Sequence, residues 1–323
     1  MNGREELVLR CAQRRREKIG TLSDEGFAEL CLAVRENTTA FVDSPEQASF
    51  ATLVGALDAF HRAGADDDLL DDDEFRAARE RRLQALSAGC AQALSQDDSC
   101  LDAQLVQTLA AELNPDDRLD ALLQIEAKAD AAAELSLGAT GDAWDDVFMR
   151  PRLRLWDAIA RTCLDGGRYR MALEVSQGLM AASPADQVGG RLTAALALAR
   201  LEDEEGFNEL DARLSGRENS WLNLGRTILL YKLGRMSAAR RALRGYGELC
   251  EGAAYALLRP TFVEIYLPDR PEVPAGGFEE ATFAVHEAAP IIADVPDFIG
   301  WADGFPWFHA AGESSAAANG YDW

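Results

Sequence analysis

Apolar residues in this chain recur at spacings of three and four almost from end to end, and almost no stretch alternates with a period of two. That periodicity places hydrophobic side chains along one face of a helix, and it excludes a sheet as the organising element. Ala and Leu dominate the apolar set, and both favour helices. The expected fold class is therefore all-α, built from antiparallel helical hairpins. Helix starts are legible. In "SPEQASFATLVGALDAF", Ser44 is an expected N-cap, Pro45 takes the first helical position and Gln47 completes a capping box. "NPDDRLDALLQIEAKADAAAEL" repeats the device with Asn114 and Pro115, and Asp116 and Asp117 suit the helix dipole. "DDDLLDDDEF" between them reads as an acidic linker into a long charged helix. It lacks the Gly and the carboxylate spacing of a calcium loop.

The stretch "DGGRYRMALEVSQGLMAASP" decides between chemistry and architecture. A Gly pair before a helix occurs in phosphate-binding loops, but no Lys follows Gly167 and the preceding "LRLWDAIARTCL" is helical. The pair is instead expected where one helix ends in a left-handed residue and the next begins. On the first helix Leu153, Trp156, Ile159, Ala160 and Cys163 form the inner face. On the second, Tyr169, Ala172, Leu173, Ser176 and Leu179 do so. Trp156, Ile159, Ala160 and Cys163 have the gaps of the tetratricopeptide pattern W-x2-L-G-x2-Y. Ala172, Ser176 and Pro184 continue it. Two further pairs follow. Leu192, Ala195, Leu196 and Ala199 precede Phe207 and Leu210. Trp221, Leu224, Gly225 and Ile228 precede a turn at Gly234, with Ala239, Ala242, Leu243 and Tyr246 beyond it.

Three stretches carry a family likeness: "SPADQVGGRL", "SWLNLGRTILLYKLGRMSAARRAL" and "LPDRPEVPAGGFEEATFAVHEAAPII". From about Trp144 to Trp301 the chain resembles the tetratricopeptide-like bacterial proteins related to the suppressor-of-tumorigenicity family. Asp186, Gln187, Gly189 and Arg191 look like the remnants of that group's Pro-x-Asp-Asn-Gln-Gly-x-Arg motif, with the Asn lost and the spacing shifted. "GGFEEATFAV" matches its short Gly-led helix. The resemblance implies a TPR-like α-solenoid scaffold and no known reaction. Three regions are expected: irregular N-terminal hairpins over 1–138, a repeat region over 139–302 and a tail over 303–323. "ATGDAWD" marks the first boundary. The Ala, Ser and Gly of the tail read as flexible, while Phe305, Trp307 and Phe308 are expected to dock on the last helices.

The search for chemistry is unproductive. The three histidines are isolated, and His286 reads as a partly buried, hydrogen-bonded side chain. There is no HExxH, no GxSxG and no CxxC. No cysteine has a neighbouring His or a clear helix N-terminus to activate it. No cofactor or metal is expected. The net charge of -23 opposes nucleic acid and anionic lipid, and basic residues interleaved with aromatics are absent. No apolar run is long enough to cross a membrane, no secretory signal is evident, and scattered cysteines suit a cytoplasmic setting.

A stack of helix pairs presents a concave face made by its first helices. Arg152, Arg154, Asp157 and Arg161 are expected to project from the first of these. Arg191 comes from the motif remnant, and Asn223 and Arg226 from a later helix. These residues form a candidate site for an acidic or C-terminal peptide, against the plainer reading of solvated helix faces. The expected function is a non-catalytic scaffold or adaptor that binds another protein. Two alternatives stand beside it: an acidic decoy for a basic or nucleic-acid-binding protein, and an enzyme built from Asp and Glu residues in a cleft, whose mark would be clustered carboxylates of raised pKa.

Overall fold

A computed structural model describes residues 3–65, 67–132, 141–213 and 219–323. Among these residues there are sixteen α-helices, three short 3-10 turns and no strand. The chain divides into two compact units. The first comprises Met1–Leu155 with Ile265–Arg270, the second Trp156–Glu264 with Pro271–Trp323. The division falls inside a helix, Arg150–Asp165 (α7). The expected boundary at 139 lies outside the described residues.

In the first unit, α1 (Gly3–Ile19) packs on α2 (Asp24–Glu36) and α3 (Pro45–Ala63). α4 (Asp72–Gln96) packs along α3, and α5 (Leu101–Ala110) lies against α3, α4 and α6 (Pro115–Ala132). The α3–α4 approach is close because Gly89 faces Ala56, where an added Cβ would stand only 2.5 Å from the alanine Cβ. The helix starts follow the sequence. Ser44 caps α3 by accepting from Gln47 N at 3.3 Å, but the Gln47 side chain accepts from Asp43 N (2.9 Å), one residue before the cap. Asn114 accepts from Asp116 N and Asp117 N. The acidic run is only partly a linker. Asp71 caps α4 in a capping box with Glu74, so its last carboxylates form that helix's first turn.

In the second unit, α8 (Tyr169–Ala182) packs on α9 (Gly190–Leu201), and α9 on α10 (Glu204–Arg213) and α11 (Ser220–Lys232). α12 (Met236–Leu249) packs on α11. The Gly166–Gly167 pair ends α7. Gly167 has φ +73°, its N–H donates to Leu164 O (3.1 Å), and Arg168 N donates to Cys163 O (2.7 Å). That pair of bonds is a Schellman cap. The same two bonds end α9 around Glu202 (φ +60°), with Asp203 N on Leu198 O at 3.1 Å and Glu202 N on Ala199 O. They end α11 around Gly234 (φ +69°), with Arg235 N on Leu230 O at 3.0 Å and Gly234 N on Tyr231 O. These left-handed residues stand 35 and 32 positions apart along the chain. The rest of the unit is α13 (Ala253–Leu258), α14 (Phe278–Ala293), α15 (Asp297–Asp303) and α16 (Pro306–Asn319). The flexible-tail expectation is corrected here. Pro306 opens α16, and Phe308, Gly312 and Ala316 bury one face of it, so burial overrides the loop-like composition.

Candidate functional site

The most concentrated charge in the first unit is buried. Glu6 and Arg10 on α1, Asp102 in the first turn of α5, Arg154 on α7 and Asp269 meet in one network. Arg154 donates from Nη2 to Glu6 (2.5 Å), from Nη1 to Glu6 (2.9 Å) and Asp102 (3.2 Å), and from Nε to Asp269 (2.8 Å). Arg10 donates to Glu6 at 2.5 Å and Asp102 at 2.6 Å, and its guanidinium carbon lies 3.6 Å from the Phe50 ring centroid. Exposure is 0% for Glu6, 2% for Asp102 and 5% for Arg154. Burial alone would push the Glu6 carboxyl up. The bonds and charges of Arg154 and Arg10 outweigh it and hold Glu6 below its ordinary value. Burial likewise opposes the Arg154 charge, but Asp102, Glu6 and Asp269 hold its pKa well above the ordinary value.

A cavity of about 220 Å³ lies beside this network, with Phe50, Leu53, Val54 and Leu57 as its apolar wall and His61 at its edge. The polar wall of the cavity is the ion network itself. Each of its carboxylates already accepts from arginine, so the arrangement ties α1, α5 and α7 together. Glu5, Glu6, Asp43, Glu112 and Asp294 are all held below the ordinary carboxylate range by arginine or lysine partners. That is the opposite of the mark expected of a carboxylate acid–base pair.

The residues expected to form a concave peptide site are engaged with their own neighbours. Arg154 is buried in the ion network. Asp157 is buried and accepts from Arg161 at 2.8 Å. Arg191 pairs with Asp186 at 2.7 Å, and the same carboxylate accepts from the Arg191 N–H, so the motif remnant is the local cap of α9. Asn223 donates to Asn219 O, and Arg226 pairs with Asp211 at 2.7 Å. Arg152 pairs with Asp130. The inner face is also not open at α9. Residues Leu192–Ala199 are all buried, and α14 packs across both α9 and α11 in addition to their hairpin partners. His286 is exposed on α14 rather than partly buried; its neighbour Glu287 is the buried one.

The structure assembles one surface in the second unit that local sequence did not reveal. Arg240, Arg241 and Arg244 are exposed on α12. Arg240 stacks over Phe305 and Arg244 over Trp307, each 5.1 Å from the ring centroid. Gly247 lets this happen, because Phe308 and Trp307 lie against it, with Phe308 3.2 Å from where a Cβ would stand. Arginine–aromatic interleaving, not visible in the linear sequence, is thus made by residues about sixty positions apart.

Among the described residues no cluster of His, Cys, Asp and Glu could hold a metal ion. Among the same residues no helix is long and apolar enough to cross a membrane. Comparison of the chain with protein-family models, curated proteins and solved structures finds no match.

Proposed function

We propose that the chain is a non-catalytic helical-repeat scaffold, a TPR-like α-solenoid related to the suppressor-of-tumorigenicity group, that binds a protein partner in the cytoplasm. The observation that carries this reading is the register of the hairpin turns. Three Schellman caps recur at 35 and 32 residues, close to the 34-residue tetratricopeptide period. The packing of α9 on its hairpin partner α10 and on the flanking α8 and α11, with α12 folded back on α11, supports the same reading. So does Gly225, which sits at the small-residue place of the pattern. A Cβ there would lie 3.3 Å from the Phe207 ring and 3.5 Å from Ala195 O. The six cysteines are unpaired thiols, as a reducing compartment would leave them.

Because α9 has no open inner face, the partner is expected on outward helix faces. The test is affinity capture on the immobilised full chain from the cells that make it, with excess free chain as competitor. A scaffold retains one or a few proteins in fixed proportion, and the free chain displaces them. Retention of nothing above a blank resin contradicts the proposal.

A further inference from the structure

We propose that the face formed by α12 and the start of α16 docks an acidic segment of a partner protein; the inference deepens the scaffold reading and rests on it. The chain has 55 acidic residues against 32 basic ones, so an arginine is expected to find a carboxylate. In the second unit several do: Arg161 pairs with Asp157, Arg191 with Asp186, Arg200 with Asp294, Arg226 with Asp211 and Arg235 with Glu204. Arg240, Arg241 and Arg244 have no carboxylate within 4.0 Å among the described residues. They instead form one exposed strip of positive charge on an acidic molecule, with exposed Glu248 one turn beyond Arg244.

Their geometry is prepared for a ligand. Stacking on Phe305 and Trp307 restrains two long side chains and leaves the guanidinium N–H groups free of a carboxylate among the described residues. Guanidinium edges recognise carboxylates in a two-pronged fashion, and less side-chain freedom is lost when the prongs are already held. Met236, 41% exposed, continues the row of Arg240 and Arg244 at steps of four residues. Neighbours on such a row stand about 6 Å apart. The surface thus fits a segment carrying successive acidic residues beside one apolar side chain.

A nucleic acid fits less well. Its bases need open ring faces for stacking, and here arginines occupy those faces. A long polyanion also meets the field of a chain whose net charge is -23.

The experiment uses the full chain and a short labelled peptide of Glu pairs separated by Leu, followed by fluorescence anisotropy. A Lys-for-Glu peptide and a labelled single-stranded oligonucleotide serve as comparators. The expected result is saturable binding of the acidic peptide only, weakening with salt, and reduced about tenfold or more by Arg240→Glu/Arg241→Glu/Arg244→Glu. Arg241→Glu alone, which disturbs no ring stack, gives a smaller loss in the same direction. Arg76→Glu/Arg81→Glu, on exposed α4 arginines, leaves binding within about twofold. Equal loss in that control, tighter binding of the oligonucleotide through the same arginines, or no peptide binding overturns the proposal. If the peptide fails while the affinity resin still captures a displaceable partner, the docking face falls and the scaffold reading stands. If the peptide binds and the resin captures nothing, the scaffold reading falls.

Discussion

Arg154 donates to Glu6 at 2.5 Å, joining α7 to α1 across 148 residues of chain. The same guanidinium serves Asp102 and Asp269, so one side chain satisfies three carboxylates inside the first unit. Removing it leaves the buried carboxylates of Glu6 and Asp102 short of a donor. Arg154→Ala is expected to destabilise the first unit by about 3–5 kcal/mol. Arg154→Lys recovers only part of this, because an ammonium cannot reproduce the planar fork. Urea denaturation followed by circular dichroism checks both; a loss below about 1 kcal/mol for the Ala variant contradicts the role assigned to the network.

Acid should dismantle the same network. The Glu6 carboxyl is depressed in the folded chain, so the folded state binds its proton less readily than the unfolded chain does. The stability it contributes is complete above its ordinary carboxylate value, roughly pH 4.3, and is lost as pH falls through the depressed folded value. In Glu6→Gln this acid-labile share is gone. Denaturation midpoints for the two proteins should therefore differ most near pH 7 and converge below pH 4. A gap that stays constant over that range would mean that Glu6 contributes by packing alone.

Much of the helical architecture is legible in the sequence because its causes are local. Ser44, Asn114 and the Gly166–Gly167 pair act within a few residues of themselves, and the structure places them at the helix ends their chemistry implies. The ion network is invisible locally: Glu6, Arg10 and Asp102 carry no local mark, and Arg154 reads as projecting into a groove. Only the tertiary fold turns these side chains inward. The α12 surface escaped for the same reason, because its rings come from Phe305 and Trp307. The α16 helix escaped because small residues at Gly312 and Ala316 look like a loop until something packs on them. The Trp323 ring lies 2.5 Å from where a Gly312 Cβ would stand.

Two glycines in helices should respond in opposite ways to an added side chain. Gly178 on α8 is exposed, with nothing within 4 Å of a Cβ, so Gly178→Ala gains stability by about 0.5–1 kcal/mol. Gly225 on α11 faces Phe207 and the Ala195 carbonyl. Gly225→Leu forces α11 away from α9 and costs about 1–3 kcal/mol. Thermal unfolding of the two variants reads the signs directly; a stabilising Gly225→Leu would mean that the α9–α11 contact is loose.

Thiol reactivity should follow burial. Burial pushes Cys11 to about 11, Cys90 to about 12 and Cys163 to about 11. Cys31 alone among the six is only partly buried. Iodoacetamide at pH 8 is expected to label Cys31 first in the folded protein, and all six in denaturant, as read by mass spectrometry. Early labelling of Cys90 or Cys163 contradicts the packing around them.

The repeat register itself is tested most directly by residue-resolved hydrogen exchange at the amides of Arg168, Asp203 and Arg235. Each closes a helix by donating five residues back, to Cys163, Leu198 and Leu230. Equivalent turns in a packed stack predict strong protection at all three, disappearing together as the second unit is destabilised. Exchange at the rate of an unstructured chain at any one of them would contradict the repeat.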